Sequence, residues 1–149
     1  MINIKDFIEE SLQDKVKNDE KIITKFIEDN YNCGGDLFIK PIGNNKYEVS
    51  CLGYVRVKLD KLNKIESLTN DMFVWDKVRG DFSCGYCDKL KSLNGSPREV
   101  RGSFYCTGCS LLKSLKGCPE KVLGDFDCQD CDSIKSYKYA GQIGGRFFM

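Results

Sequence analysis

VRGDFSCGYCDKLKSLNGSP (residues 78–97), VRGSFYCTGCSLLKSLKGCP (residues 100–119) and VLGDFDCQDCDSIKSYK (residues 122–138) are copies of one pattern set 22 residues apart. Val78 aligns with Val100 and Val122, Gly80 with Gly102 and Gly124, and Phe82 with Phe104 and Phe126. Two cysteine positions follow, first Cys84, Cys106 and Cys128, then Cys87, Cys109 and Cys131. Leu90, Leu112 and Ile134 come next, and Ser92, Ser114 and Ser136 after them. The turn pair Gly95 and Pro97 returns as Gly117 and Pro119 and fades at Tyr139. Upstream, Val57-x-Leu59-x-x-Leu62-x-x-Ile65-x-Ser67-Leu68 matches the stretch from Phe82 at a shift of 25, with leucine at both cysteine positions. Downstream, Ile143-x-Gly145-x-Phe147 repeats the strand portion once more.

A period between 20 and 29 residues is the mark of a solenoid, in which each unit buries its apolar side on its neighbours. Within a copy Val, Gly, Phe and the first Cys alternate with polar residues, the period of two of a half-buried strand. One strand per coil is therefore predicted, paired in parallel with the next at about 4.8 Å, with Gly-x-Pro turning the chain. Each inward Phe or Leu then contributes roughly 1.5–3 kcal/mol by burial.

The spacing is similar to that of leucine-rich repeats, with Cys87, Cys109 and Cys131 at the ladder position, although three residues lead from Cys87 to Leu90 where the usual pattern has two. More closely, Gly-Asp-Phe-x-Cys-x-x-Cys-x-x-Leu-x-Ser-Leu-x-Gly-x-Pro resembles Cys/Leu repeat proteins of tailed bacteriophages, over about residues 45–147. That resemblance implies a phage or prophage origin and a place in the host cytoplasm, and it transfers no catalytic residue.

Ahead of the repeats, Ile4, Phe7, Ile8 and Leu12 share one helical face and Ile22, Ile23, Phe26 and Ile27 another. Two helices are expected, the second capped by Asn18 or Asp19 and ended by Cys33-Gly34-Gly35. Residues 36–41 and 47–51, joined by Gly43-Asn44-Asn45, read as a hairpin. The predicted fold is α+β: a helical cap (1–33), a hairpin (34–52) and a short parallel-β solenoid (53–149). Its coils run over about 53–77, 78–99, 100–121 and 122–142, with a terminal strand at 143–148.

Nine cysteines and no histidine are the oddest feature of the composition. Three Cys-x-x-Cys pairs have zinc-ribbon-like spacing, so Cys84, Cys87, Cys106, Cys109, Cys128 and Cys131 are candidate ligands. The competing reading is packing, since free cysteine behaves as a small buried apolar residue and the pairs recur at the repeat period. Redox chemistry fits less well, because each first cysteine ends a strand rather than starting a helix. No cofactor is expected on the packing reading, and zinc is the alternative.

Twenty-three basic against 22 acidic residues give a net charge of +1, so no global field draws the chain to nucleic acid or lipid. No apolar run approaches the roughly 18 residues of a membrane helix. The first twenty residues carry Asp6, Glu9, Glu10, Asp14, Asp19 and Glu20 where a secretory signal needs a basic start, so a cytoplasmic location is expected.

Outward strand positions give three columns of changing chemistry. They are Tyr54, Arg79, Arg101 and Leu123; then Arg56, Asp81, Ser103, Asp125 and Arg146; then Lys58, Ser83, Tyr105, Asp127 and Phe148. Arginine and tyrosine are enriched in interface hot spots, so this face is the candidate protein-binding surface, set against the plainer reading of a solvated sheet. The expected partner is a protein, in keeping with a phage product that inhibits a host enzyme or defence complex, as anti-CRISPR and anti-restriction factors do. Lys61, Lys64, Lys89, Lys91, Lys113, Lys116, Lys135 and Lys138 form a second stripe on the turns, and a zinc-stabilised nucleic-acid-binding module is the alternative. The last strand, 143–148, offers an open edge for a homodimer. No glycine-rich phosphate loop or nucleophile elbow is present, and Asp81, Asp125 and Asp127 lie on an open face, so no enzyme is expected.

Overall fold

Each copy makes two short strands, where the alternating pattern predicts one. In the computed structural model, which describes residues 3–138 and 141–149, Val78 and Phe82 lie in different sheets, separated by a bend at Gly80. The fading of the third copy at Tyr139 falls outside the described residues. The alternation survives because inward residues stay inward around the bend, which periodicity alone cannot distinguish from a straight strand.

The chain opens with α1 (Ile4–Asn30), followed by β1 (Tyr31–Cys33), β2 (Leu37–Gly43), β3 (Lys46–Cys51) and β4 (Val55–Val57). The repeats supply β5 (Phe73–Val78), β6 (Phe82–Ser83), β7 (Glu99–Val100), β8 (Phe104–Tyr105), β9 (Lys121–Val122), β10 (Phe126–Asp127), β11 (Gln142–Ile143) and β12 (Phe147–Phe148). Sheet A has the order β1-β4-β6-β8-β10-β12 and sheet B the order β11-β9-β7-β5-β3-β2. Pairing is parallel from coil to coil, and antiparallel where β1 meets β4 and where β2 meets β3.

At the bend the backbones touch. Gly80 N–H donates to Gly53 C=O (2.9 Å), Gly102 to Gly80 (3.1 Å), Gly124 to Gly102 (2.9 Å) and Gly145 to Gly124 (2.9 Å). A Cβ placed on Gly124 would lie 2.8 Å from the Gly102 carbonyl carbon and 2.5 Å from Ser103 Oγ, so this column has no room for a side chain. Asp81, Ser103 and Asp125 brace it from outside: Ser103 N–H donates to Asp81 Oδ1 (2.7 Å), Asp125 N–H to Ser103 Oγ (3.0 Å) and Arg146 N–H to Asp125 Oδ1 (2.7 Å).

Inside, Phe82 stacks on Phe104 (5.6 Å between centroids), Phe104 on Phe126 (5.1 Å), and Phe126 meets Phe147 (5.4 Å). The spine continues from Phe82 through Trp75 and Phe73 to Phe26 on α1. Tyr31 Oη and Trp75 Nε1 both donate to the Leu68 carbonyl, so the polar atoms of these buried rings are satisfied.

The two expected helices are one, running unbroken through Asn18 and Asp19. Asn3 is its N-cap, accepting from Lys5 N–H (3.0 Å), and Asp19 serves packing, accepting from Lys15 and from Tyr47 Oη. Ile23 and Ile27 close the end of the solenoid, whereas Ile4, Phe7, Ile8 and Leu12, the other predicted apolar set, are exposed. Cys33-Gly34-Gly35 does not end the helix, which stops at Asn30 because Tyr31–Cys33 is drawn into sheet A. The hairpin forms as expected, with Asn44 and Asn45 both in the left-handed region that a two-residue turn requires.

The weak upstream copy is displaced from its sequence alignment. Val55 pairs with Phe82, so Val57 takes the place of Cys84, and Leu59, aligned with that cysteine by sequence, is 83% exposed. A 3-10 turn at Leu59–Lys61 takes up part of the extra length of this coil, and the rest lies between Thr69 and Val78.

Gly124→Ala is expected to lower the unfolding free energy by about 1–3 kcal/mol, the range for overpacking. The exposed neighbour change Leu123→Ala should stay within about 0.5 kcal/mol. Urea unfolding with an unchanged slope checks both.

Candidate binding face

The displacement of the first coil rearranges the predicted columns. Asn32, Arg56, Ser83, Tyr105, Asp127 and Phe148 run in register across the outer face of sheet A. Arg56 therefore stands beside Ser83, not beside Asp81 as the sequence alignment places it. Lys58 lies past the end of β4 and donates through Nζ to the Glu28 carbonyl, a cation at the C-terminal end of α1. Asp81 and Asp125 belong to the corner bracing described above, and the Arg146 backbone is part of it, though the Arg146 side chain is exposed.

Arg79 and Arg101 lie on the other side of the corner, bordering a depression of about 370 Å3 with Phe38, Leu52 and Lys77. Arg101 Nε is paired there with Glu99 at 3.0 Å. The residues singled out from sequence thus fall on three surfaces, of which sheet A holds the features bordered by Tyr54, Arg56, Tyr105 and Asp127.

Those features are two adjoining depressions. One, of about 670 Å3, is bordered by Glu28 and Asn32 and floored by Tyr54, Arg56, Ser83 and Tyr105. Its neighbour, of about 420 Å3, is lined by Arg56, Val57, Leu59, Leu62, Tyr86, Tyr105, Thr107 and Asp127. Arg56 and Tyr105 are common to both. Among the described residues Arg56 has no ion-pair partner, while Asp127 accepts from Gln129 N–H at 3.0 Å.

Tyr86 and Leu59 are the residues that sequence reading passed over. Tyr86 has φ of 59°, a left-handed conformation that is rare for a bulky residue and costs about 1–3 kcal/mol. Its ring is 61% exposed and lies over Gly108, where a Cβ would meet it at 2.5 Å. The corresponding positions in the next coils are Gly108 and Asp130, residue types suited to positive φ, so tyrosine among them was a visible outlier. Leu59 carried no such signal, because the alignment assigned it to the core.

The cysteine pairs point inward. Cys84, Cys87, Cys106, Cys109, Cys128 and Cys131 are all buried, and their thiols join coils: Cys109 Sγ donates to Cys84 C=O (3.2 Å), Cys131 Sγ to Cys106 C=O (3.1 Å) and Cys128 Sγ to Phe148 C=O (3.3 Å). Among the described residues no group of three or more Cys, Asp or Glu side chains gathers as a metal site. Cys118 and Cys33 are half-buried and Cys51 is buried.

Burial pushes the Cys84 thiol up, Cys87 and Cys128 up to about 12, and Cys118 up to about 11. Hydrogen bonds to Cys131, then burial, push Cys106 and Cys109 up, while Cys131 as acceptor is drawn down. Cys51 is drawn down to about 6 by its hydrogen bond with Cys33, whose own thiol the same contact pushes up. Burial also pushes the Tyr31 hydroxyl up.

The lysines form a further surface. Lys91, Lys113 and Lys135 repeat at the coil period, as do Lys116 and Lys138, and all five are exposed. None is ion-paired among the described residues. No described helix is long and apolar enough to cross a membrane. Compared with known proteins, the chain matches no family model, no curated protein and no solved structure.

A raised folded pKa contributes stability that is complete below the unfolded value and is lost as pH climbs through the folded one. The lowered thiols Cys51 and Cys131 are ionised in both states above the ordinary value of 9.0 and add no slope there. The unfolding free energy should therefore fall between pH 9 and 12, the window set by Cys87 and Cys128. The double change Cys84→Val with Cys87→Ala removes no thiol hydrogen bond described here. It should keep the circular dichroism spectrum and make that decline shallower, whereas a zinc-held fold would instead lose metal, by elemental analysis, and unfold.

Proposed function

We propose that the chain is a non-enzymatic binding protein that holds a protein partner on the outer face of sheet A. The observation that carries this reading is the pair of adjoining depressions sharing Arg56 and Tyr105, with Tyr54, Tyr86 and Leu59 exposed around them. Tyrosine and arginine are the side chains that concentrate binding energy, and a frame locked coil to coil loses little freedom when a partner docks. The resemblance to tailed-phage repeat proteins directs the proposal toward a host enzyme or defence complex, bound in the host cytoplasm as an inhibitor. Asp81 and Asp125 each use one carboxylate oxygen to accept a backbone N–H of the next coil, a structural role that fits the non-enzymatic reading.

The lysine columns favour a second reading, contact with a nucleic-acid backbone, because exposed cations repeating in step can release counterions from a polyanion.

Capture from host lysate separates the two. Wild type and the Arg79→Ala/Arg101→Ala variant should retain the same protein, and Arg56→Ala/Tyr105→Ala should lose it. Should capture survive that change and vanish instead with Lys91→Glu/Lys113→Glu/Lys135→Glu, together with co-purifying nucleic acid, the second reading replaces the first.

A further inference from the structure

Three observations converge on the smaller depression of sheet A. Its walls are largely apolar, with Val57, Leu59, Leu62 and the rings of Tyr86 and Tyr105. Its boundary with the larger depression is Arg56, an exposed guanidinium without an ion-pair partner among the described residues. One wall, Tyr86, is held at φ of 59°, in a backbone state that the repeat elsewhere gives to Gly108 and Asp130. Neither of those replacements could form the wall, because only a large ring reaches across to the next coil, where Tyr86 covers Gly108. A bulky side chain at this left-handed position, which the later coils fill with residue types suited to it, points to a use for that ring.

We infer that this depression takes an apolar side chain with a carboxylate next to it, the aliphatic or aromatic group seated between Leu59, Tyr86 and Tyr105 and the anion paired with Arg56. The volume of about 420 Å3 accommodates one large side chain with its backbone. An Arg fork fixes a carboxylate by two parallel N–H bonds, which sets the orientation of the seated group. Asp127, three coils from Arg56 on the same column, reinforces that orientation by keeping the anion away from its end. This subsite rests on the reading of sheet A as the binding face and names the chemistry of the partner segment it selects.

The probes are N-acetyl-leucinate, which carries both groups, N-acetyl-leucinamide, which lacks the charge, and acetate, which lacks the side chain. Each is titrated into nitrogen-15-labelled full-length protein. N-acetyl-leucinate should shift the amides of Arg56, Tyr86 and Thr107 saturably, at a several-fold lower midpoint than the amide, and acetate should not saturate. Arg56→Gln should bring acid and amide to the same midpoint. Tyr86→Gly should weaken both several-fold while raising the urea midpoint, since glycine relieves the positive φ, so weaker binding there cannot be blamed on a failed fold. Equal midpoints for acid and amide in the wild type, or saturable shifts confined to other surfaces, would overturn the subsite. If those shifts are missing while host-protein capture still depends on Arg56 and Tyr105, the subsite falls and the binding face stands. If the shifts appear but capture ignores those residues, the face as a protein site falls and the small-molecule pocket stands.

Discussion

Backbone-to-backbone contact at the glycine corner is the constraint on which the rest of the molecule depends. Gly53, Gly80, Gly102, Gly124 and Gly145 bring consecutive coils to hydrogen-bond distance where any Cβ would collide with the coil before it. Once that spacing is fixed, the phenylalanines of successive coils are held in stacking range and the thiols reach carbonyls one coil away. Aromatic stacking adds roughly 0.5–1.5 kcal/mol per pair beyond burial, yet it could not create the spacing, because rings tolerate several angstroms of offset. The corner, by contrast, admits only one separation.

The repeat and its coil length were legible in the sequence because each inward position is filled by one residue type. The burial of the cysteine pairs followed from the same regularity, whereas the α+β order and the hairpin followed from helical periodicity and the Gly43-Asn44-Asn45 turn ahead of the repeats. What stayed hidden were the features that periodicity leaves degenerate. Inward residues alternate alike along a straight strand and around a tight bend, so Val78 and Phe82 read as one strand. A helix with an apolar face reads alike whether or not it pauses at Asn18, and of the two partners of Asp19 one, Lys15, is a turn back on the same helix while the other, Tyr47, is a tertiary contact that the sequence does not reveal. The candidate face was only partly legible: Arg56 and Tyr105 were identified, but the extra length of the first coil moved Arg56 to a new neighbour and turned Leu59 out to solvent.

Two departures from strict repetition, the 3-10 turn at Leu59–Lys61 and a tyrosine at the left-handed position that Gly108 and Asp130 fill in later coils, border the same depression. A lattice with a single repeating unit offers every partner the same monotonous surface, so discrimination has to come from the places where the unit is broken. Local rules are expected to fail at working sites and to be compensated by surrounding structure, and here the surroundings are the most regular part of the fold.

The antiparallel strands β1 and β2 give the stack a direction. Each repeat is built to meet a parallel neighbour in register, and at the helical end it finds β1 and β2 running the opposite way. Pro41, within β2 on the outermost edge of sheet B, has no N–H to offer an incoming strand. Elongation by templating, the hazard of any exposed parallel sheet, is therefore blocked at that end by polarity as well as by the covering helix. Any lengthening of the array through duplication of a coil has to be accommodated between the repeats themselves, where the glycine corner already dictates how far apart two neighbours stand.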